Sequence, residues 1–274
     1  MQTSDAGTAD DGSRNEVLAV RYGTRPGHRG EIFLNYGVYG EPDEPLAMDY
    51  YFWVVRTPTG TVVVDCGFNA GSGGRRGRTM LCEPAEALRR LGIEPSAVDA
   101  LVVTHAHYDH IGNLGLFDGV PVVMSRREFD FWTGPLGRRA QFAHSAEADD
   151  VEVLRTKQLA GEVRFLSGPD GTVADGVRLV EVGGHTPGQL VVLVSTAGGE
   201  VMLASDSLHY YVELERDWPF AYVADLVAMY RGFDTISAWL AEPGHHLVPG
   251  HDPAVMDRYP ALEGELAGLG VRVP

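Results

Sequence analysis

Three histidines and an aspartate fall within six residues of the chain, in His105-Ala106-His107-Tyr108-Asp109-His110. The stretch follows the apolar run ALVV, so these side chains leave the end of an expected strand. In extended chain, residues two apart point the same way, which lets His105 and His107 reach one ion. A turn after them swings Asp109 and His110 toward a second ion close by. Imidazole nitrogen and carboxylate oxygen are donors that zinc and related divalent metals accept. Without a cation such a group of side chains is costly to bury, and it serves no packing purpose.

Three further candidates stand at the ends of apolar runs: His185 after VRLVEVGG, Asp206 after VMLAS, and His251 after HLVPG. Strand ends in an α/β sheet are where ligand-binding residues gather. A lone strand-end histidine is more often structural, so these three gain their weight from the cluster. The set assigns His105, His107 and His185 to one ion and Asp109, His110 and His251 to the other, with Asp206 bridging. Zinc is the default pair of ions; iron, manganese or cobalt suit the same donors. Two such cations would acidify a shared water enough for attack on a carbonyl near neutral pH. Asp65, closing the strand TVVVD, is the candidate to orient a ligand imidazole. Gly112 is expected to permit a tight turn beyond the cluster.

The elements that must position these residues alternate between strands and helices. YFWVVRT (51–57) and TVVVDCG (61–67) flank a Pro58–Gly60 turn and read as a hairpin. PAEALRRLG (84–92) reads as a helix opened by Pro84 and stopped at Gly92. Strands are expected at 99–107, 120–125, 177–183, 189–196, 200–206 and 245–252. Helices are expected from Arg126, over 146–160, and over 219–241, where Leu226, Met229, Phe233, Ile236 and Leu240 share a face. GFNAGSGGRRGR (67–78) reads as a mobile loop, with Arg75, Arg76 and Arg78 expected in solvent and contact with an anionic substrate as the alternative. Phe129, Phe131, Trp132 and Phe142 could wall an apolar pocket or pack in the core. Residues 1–16 read as a disordered tail and 17–274 as one metallo-hydrolase domain.

Composition bounds the rest. The 274 residues are 44% hydrophobic and 22% charged, with a net charge of −16. That charge repels phosphate backbones and anionic lipid, so a small-molecule substrate is expected and nucleic acid is not. Cys66 and Cys82 are too few for a disulfide framework and read as packing thiols. No apolar run is long enough for a membrane span, and the first residues lack a basic start with an apolar stretch, so a cytoplasmic location is expected. A homodimer is conceivable through residues 17–40.

These residues resemble the metallo-β-lactamase superfamily of hydrolases. The matching pieces are THAHYDHIGN (104–113), GGHTPGQ (183–189), SDS (205–207) and PGHD (249–252), preceded by TVVVDCG (61–67). They occur in the family's order and span roughly residues 50–252. The resemblance implies an α/β fold, an αββα sandwich of two mixed β-sheets flanked by helices, with the metals at one edge. Within the superfamily the chain is most similar to the N-acyl-homoserine lactonase branch. The bridging Asp206, the upstream VLAVRYGTR and IFLNYGVYG, and SDSLHYYVELERDWPFA (205–221) point there. That branch implies opening of a lactone by metal-activated water, and quorum quenching as its setting. It also implies that Asp109 binds metal and shuttles a proton. One position departs: the branch has a tyrosine three residues after the bridging aspartate, and this chain has His209, followed by Tyr210 and Tyr211. His209 or Tyr210 is the candidate donor to the carbonyl or leaving oxygen. A glyoxalase II-like thioester hydrolase uses the same seven ligands, but the basic C-terminal region of that type is missing from LEGELAGLGVRVP. β-Lactam hydrolysis is disfavoured by Asp206. A non-catalytic metal- or ligand-binding module is disfavoured by the intact ligand set.

Overall fold

The computed structural model describes residues 15–274. The first seven strands build one sheet: β1 (Glu16–Arg25), β2 (Met48–Thr57), β3 (Gly60–Val64), β4 (Thr79–Met80), β5 (Ala100–Val102), β6 (Val122–Met124) and β7 (Val163–Phe165). The next five build a second: β8 (Asp170–Ala174), β9 (Val177–Glu181), β10 (Leu190–Thr196), β11 (Gly199–Ser205) and β12 (His245–Pro249). The last, β13 (Gly270–Val273), returns to the first sheet. Its order is β13-β1-β2-β3-β5-β6-β7 with β4 on β1, and the second runs β12-β11-β10-β9-β8. Both sheets are mixed: β3-β5-β6-β7 and β11-β12 are parallel pairs and the other neighbours antiparallel. The expected αββα sandwich is what the chain forms.

Strand β2 explains how the layers hold. Its run Tyr50–Val55 is buried on both faces. Alternation sends Tyr51, Trp53 and Val55 toward the second sheet, where they join Leu179, Val192 and Leu203. Tyr50, Phe52 and Val54 go the other way, into a core shared with Leu88, Phe117 and Leu154 under the helices. A strand covered on both sides needs a continuous apolar run, and that is what the sequence supplies.

Several expectations require correction. Residues 1–14 of the expected tail lie outside the described residues, but Asn15 and Glu16 belong to the fold: Asn15 is buried and bridges to Thr196, and Glu16 opens β1. The segment read as a mobile loop contains a helix, Ala70–Arg75, because Asn69 caps it by accepting from Ser72 N at 2.9 Å. The helix expected over 219–241 covers only Leu226–Leu240, capped by Asp225. Residues 219–225 instead run along a ligand loop, where Ala224 N donates to Gly184 O at 3.0 Å. Within the 17–40 segment, β1 lies inside its sheet between β13 and β2 and offers no free strand edge.

Candidate metal centre

The ligand candidates leave four separate strand ends at the same edge of the sandwich. After β5 the chain runs through His105 and His107 into the helical turn Tyr108–Ile111, which carries Asp109 and His110. His185 sits on the β9–β10 connection, Asp206 directly after β11 and His251 just past β12. The ends of β3 and β11 are bent by non-glycine residues in the left-handed region, Asp65 at φ 60° and Ser205 at φ 46°. Such backbone is unfavourable for side chains other than Asn or Asp and persists where the surroundings hold it. Here it turns the chain from each strand into the centre.

The Asp206 carboxylate is the middle of the arrangement. Its Oδ2 faces His185 Nε2 at 3.2 Å and His105 Nε2 at 3.6 Å, while its Oδ1 faces His251 Nε2 at 3.1 Å and His110 Nε2 at 3.2 Å. His107 Nδ1 meets His185 Nε2 at 3.0 Å. Asp109 completes the second group, 3.9 Å from both His110 Nε2 and His251 Nε2. The donor atoms of His105, His107, His185 and Asp206 lie within 4.8 Å of one another, as do those of Asp109, His110 and His251. Every one of these residues is buried.

This donor set fits divalent cations. His105 Nε2, His110 Nε2 and Asp206 Oδ1 are buried without a hydrogen-bond partner, an arrangement that costs free energy unless something positive sits between them. Burial, with the neighbouring imidazoles, holds His105 and His107 well below the usual histidine range, and burial lowers His185 too. Neutral imidazole is the ligating form. Around His110 burial also lowers, but Asp206, Asp65 and Asp109 together win and raise it well above the usual value.

Outer partners fix the rings. Asp65 Oδ2 lies 2.7 Å from His110 Nδ1, as the sequence reading expected, and Asp65 also accepts from Thr104 N and Oγ1. Backbone carbonyls do the same elsewhere: Tyr222 O holds His185 Nδ1 and Asp49 O holds His251 Nδ1, each at 2.7 Å. In each case the outward nitrogen is the donor, leaving the inward lone pair for a cation. The chain turns at Gly112 as expected, but with a φ of −65° that any residue adopts; glycine is needed there for close approach, since a Cβ would come within 2.8 Å of the Gly67–Asn69 backbone.

His209 and Tyr210 separate clearly. His209 is fully buried, stacks on Phe220 with centroids 3.7 Å apart, and places Nε2 3.1 Å from Asp206 Oδ2. Its Nδ1 faces Glu213 Oε1 at 3.4 Å. Burial lowers it, but Asp206 and Glu213 outweigh this and raise it to about 9. Tyr210 points away, donating to Ala47 O at 3.1 Å and packing edge-on against Phe33. Neither His209 nor Tyr210 lines the cleft over the cluster, whose cavity volume is about 70 Å³.

That cleft is walled by Met48, Tyr50, Phe220 and Tyr222, not by the aromatics after the first motif. Phe129 and Trp132 are core, and Phe131 and Phe142 meet edge-on against it. Arg76 and Arg78, expected in solvent, line the cleft instead. Sequence reasoning missed Glu128. Ser125-Arg-Arg-Glu128 has the pattern of a helix capping box, and Ser125 does cap. The Glu128 carboxylate turns inward instead, accepting from Ala106 N and Gly188 N at 2.9 Å each and from Trp132 Nε1 at 2.7 Å. It ties the His105–His110 loop to the loop that carries His185.

Residues 49–262 match the family profile described as Metallo-beta-lactamase superfamily. An N-acyl homoserine lactonase of a Bacillus species is 27% identical over 195 residues, 66% of this chain and 72% of that one. Among solved structures, a quorum-quenching N-acyl homoserine lactone lactonase superposes with a TM-score of 0.74 at 20% identity, covering 90% of this chain and 95% of that one. An N-acyl homoserine lactone hydrolase with N-hexanoyl-L-homoserine at its catalytic metal centre gives 0.71 at 19% identity, covering 88% and 94%. At these identities the structural likeness speaks for the fold. No helix among the described residues is long and apolar enough to cross a membrane.

Proposed function

This chain belongs to the metallo-β-lactamase superfamily and is a hydrolase, and we propose that it opens a lactone at a centre holding two divalent cations. The observation that carries the reading is the Asp206 carboxylate, whose two oxygens face two different groups of ligand side chains. The names of its relatives support a cyclic ester as substrate, N-acyl homoserine lactone or a similar small lactone, with quorum quenching as the setting. Zinc is the first candidate for the metal.

When bound, the cations would supply an acidified water and Lewis-acid polarisation of the carbonyl. The chain's own residues do the rest. His105, His107 and His185 with Asp206 Oδ2 form one subsite, and Asp109, His110 and His251 with Asp206 Oδ1 form the other. Asp65 keeps the His110 proton on Nδ1. Asp109 lines the cleft and is placed to hold a proton released there. His209, fully buried under Phe220 and outside the cleft lining, would act through Asp206, whose Oδ2 its Nε2 faces at 3.1 Å; Tyr210 is left out because its hydroxyl is committed to Ala47.

A panel of lactones, thioesters and β-lactams tests the reading on the metal-loaded chain. Lactone opening should exceed thioester turnover by a wide margin. His107→Ala should lose metal and activity together, and His209→Gln, acting through Asp206, should lower activity about 10–100-fold with the metals retained. Thioesters turned over faster than every lactone would refute the substrate class.

A further inference from the structure

The protein is strongly acidic, yet one wall of the cleft is basic. Arg25, at the end of β1, and Arg78, just before β4, both line it. Neighbouring Arg76 and Arg75 share the single carboxylate of Glu147, at 2.9 and 3.0 Å. Arg78 differs: no ion pair joins it to a carboxylate among the described residues. Its Nε donates to Tyr108 Oη at 3.0 Å and its Nη1 to Arg76 O at 2.8 Å. Those two bonds fix the guanidinium plane while leaving Nη2 without a partner among the described residues. Arg25 Nε is buried with no hydrogen-bond partner, and its one carboxylate, Glu31, stands 3.5 Å away on a side chain that is 63% exposed.

Both cations stand close to the reaction centre. Arg78 Cζ lies 6.0 Å from the Tyr50 ring centroid, and Arg25 and Arg78 both act electrostatically on the Tyr50 hydroxyl. Tyr50 in turn meets the ligand His251 edge-on, with centroids 5.1 Å apart. One aromatic ring therefore separates the Arg78 guanidinium from the cluster. A half-buried guanidinium held in a fixed orientation is the group best suited to grip a planar carboxylate through paired hydrogen bonds.

We propose that Arg25 and Arg78 form an anion subsite that selects esters or lactones carrying a carboxylate beside the scissile ring or bond. The inference rests on the cleft being hydrolytic and narrows its substrate class. Such a substrate differs from the uncharged N-acyl homoserine lactones for which the relatives are named. Gripping the carboxylate would hold the scissile carbonyl over the ligand cluster, so remote binding energy serves orientation.

The test compares a γ-lactone bearing a side-chain carboxylate with its methyl ester, on the metal-loaded full chain. Wild type should favour the acid in kcat/KM by about tenfold or more, the scale of one charge-assisted hydrogen bond. Arg78→Met should cut that ratio at least tenfold through KM, Arg25→Met should also cut it, and Arg78→Lys should fall between. A separate arm measures glutarate binding by calorimetry to metal-loaded wild type and Arg78→Met. Tighter binding to wild type that weakens with salt is expected. An unchanged acid-to-ester ratio in Arg78→Met and Arg25→Met, or equal glutarate affinity in wild type and Arg78→Met, overturns the subsite. If no lactone opens but glutarate still distinguishes wild type from Arg78→Met, the subsite stands and the lactone reading falls.

Discussion

At the scale of single residues, the centre depends on which nitrogen of each histidine carries its proton. His110, His185 and His251 each present Nδ1 to an oxygen 2.7 Å away, so Nε2 is left free to face inward. Of these oxygens only that of Asp65 belongs to a side chain and can be altered without moving the backbone. Asp65→Asn should lower metal affinity about 10–100-fold while the fold persists, measured by competition with a chelator and by circular dichroism. Wild-type affinity in that variant would show that the His110 tautomer needs no such support. The sequence displayed these candidate ligands openly because HxHxDH crowds groups that a cation would reconcile. Asp65 was legible for a related reason, as an acid ending a buried strand. Glu128 was not: its local pattern fits a helix cap, and only the fold brings Ala106 N and Gly188 N to its carboxylate. For Arg76 and Arg78 the sequence left solvent and an anionic substrate both open, because a Gly- and Arg-rich run carries no sign of the cleft it borders.

At the scale of elements, the site is a product of strand ends. The hairpin β2–β3 and the strands β9–β11 followed from apolar runs punctuated by glycine and proline, and they formed near the expected positions. The long helix was misjudged at its start because Pro219–Asp225 is apolar enough to continue the pattern. A tertiary demand overrides it there: Tyr222 O must stay free of a helix to hold His185. Strand β11 bears most directly on the centre, since it ends at Ser205 and presents Asp206. Leu203, fully buried between the sheets, anchors it. Leu203→Ala should cost about 2–5 kcal/mol in denaturant unfolding, lost transfer energy plus a residual cavity. A cost below about 1 kcal/mol would mean the inter-sheet layer closes around the gap.

At the scale of the whole molecule, an excess of acid over base sets how stability responds to pH. Asp150, in the first turn of the helix Ala148–Leu159, is raised to about 6, by burial first and then by Glu147 and Asp149. A carboxyl raised on folding favours the protonated native state, so its contribution is present at low pH and is lost as pH rises through about 6. Asp150→Asn should therefore stabilise the protein by about 1–2 kcal/mol at pH 8, after allowance for solvent screening, and by almost nothing below pH 4. Thermal melts across that range check the sign; a gain confined to low pH would reverse it. The more direct question for the account as a whole is how much metal the folded chain holds. Metal content per chain, read by elemental analysis beside lactone turnover for wild type and Asp206→Ala, answers it. The account predicts two divalent ions in wild type, with fewer ions and turnover falling in step in the variant. A metal-free wild-type chain at full activity, or two ions held as tightly after Asp206 is removed, would contradict it.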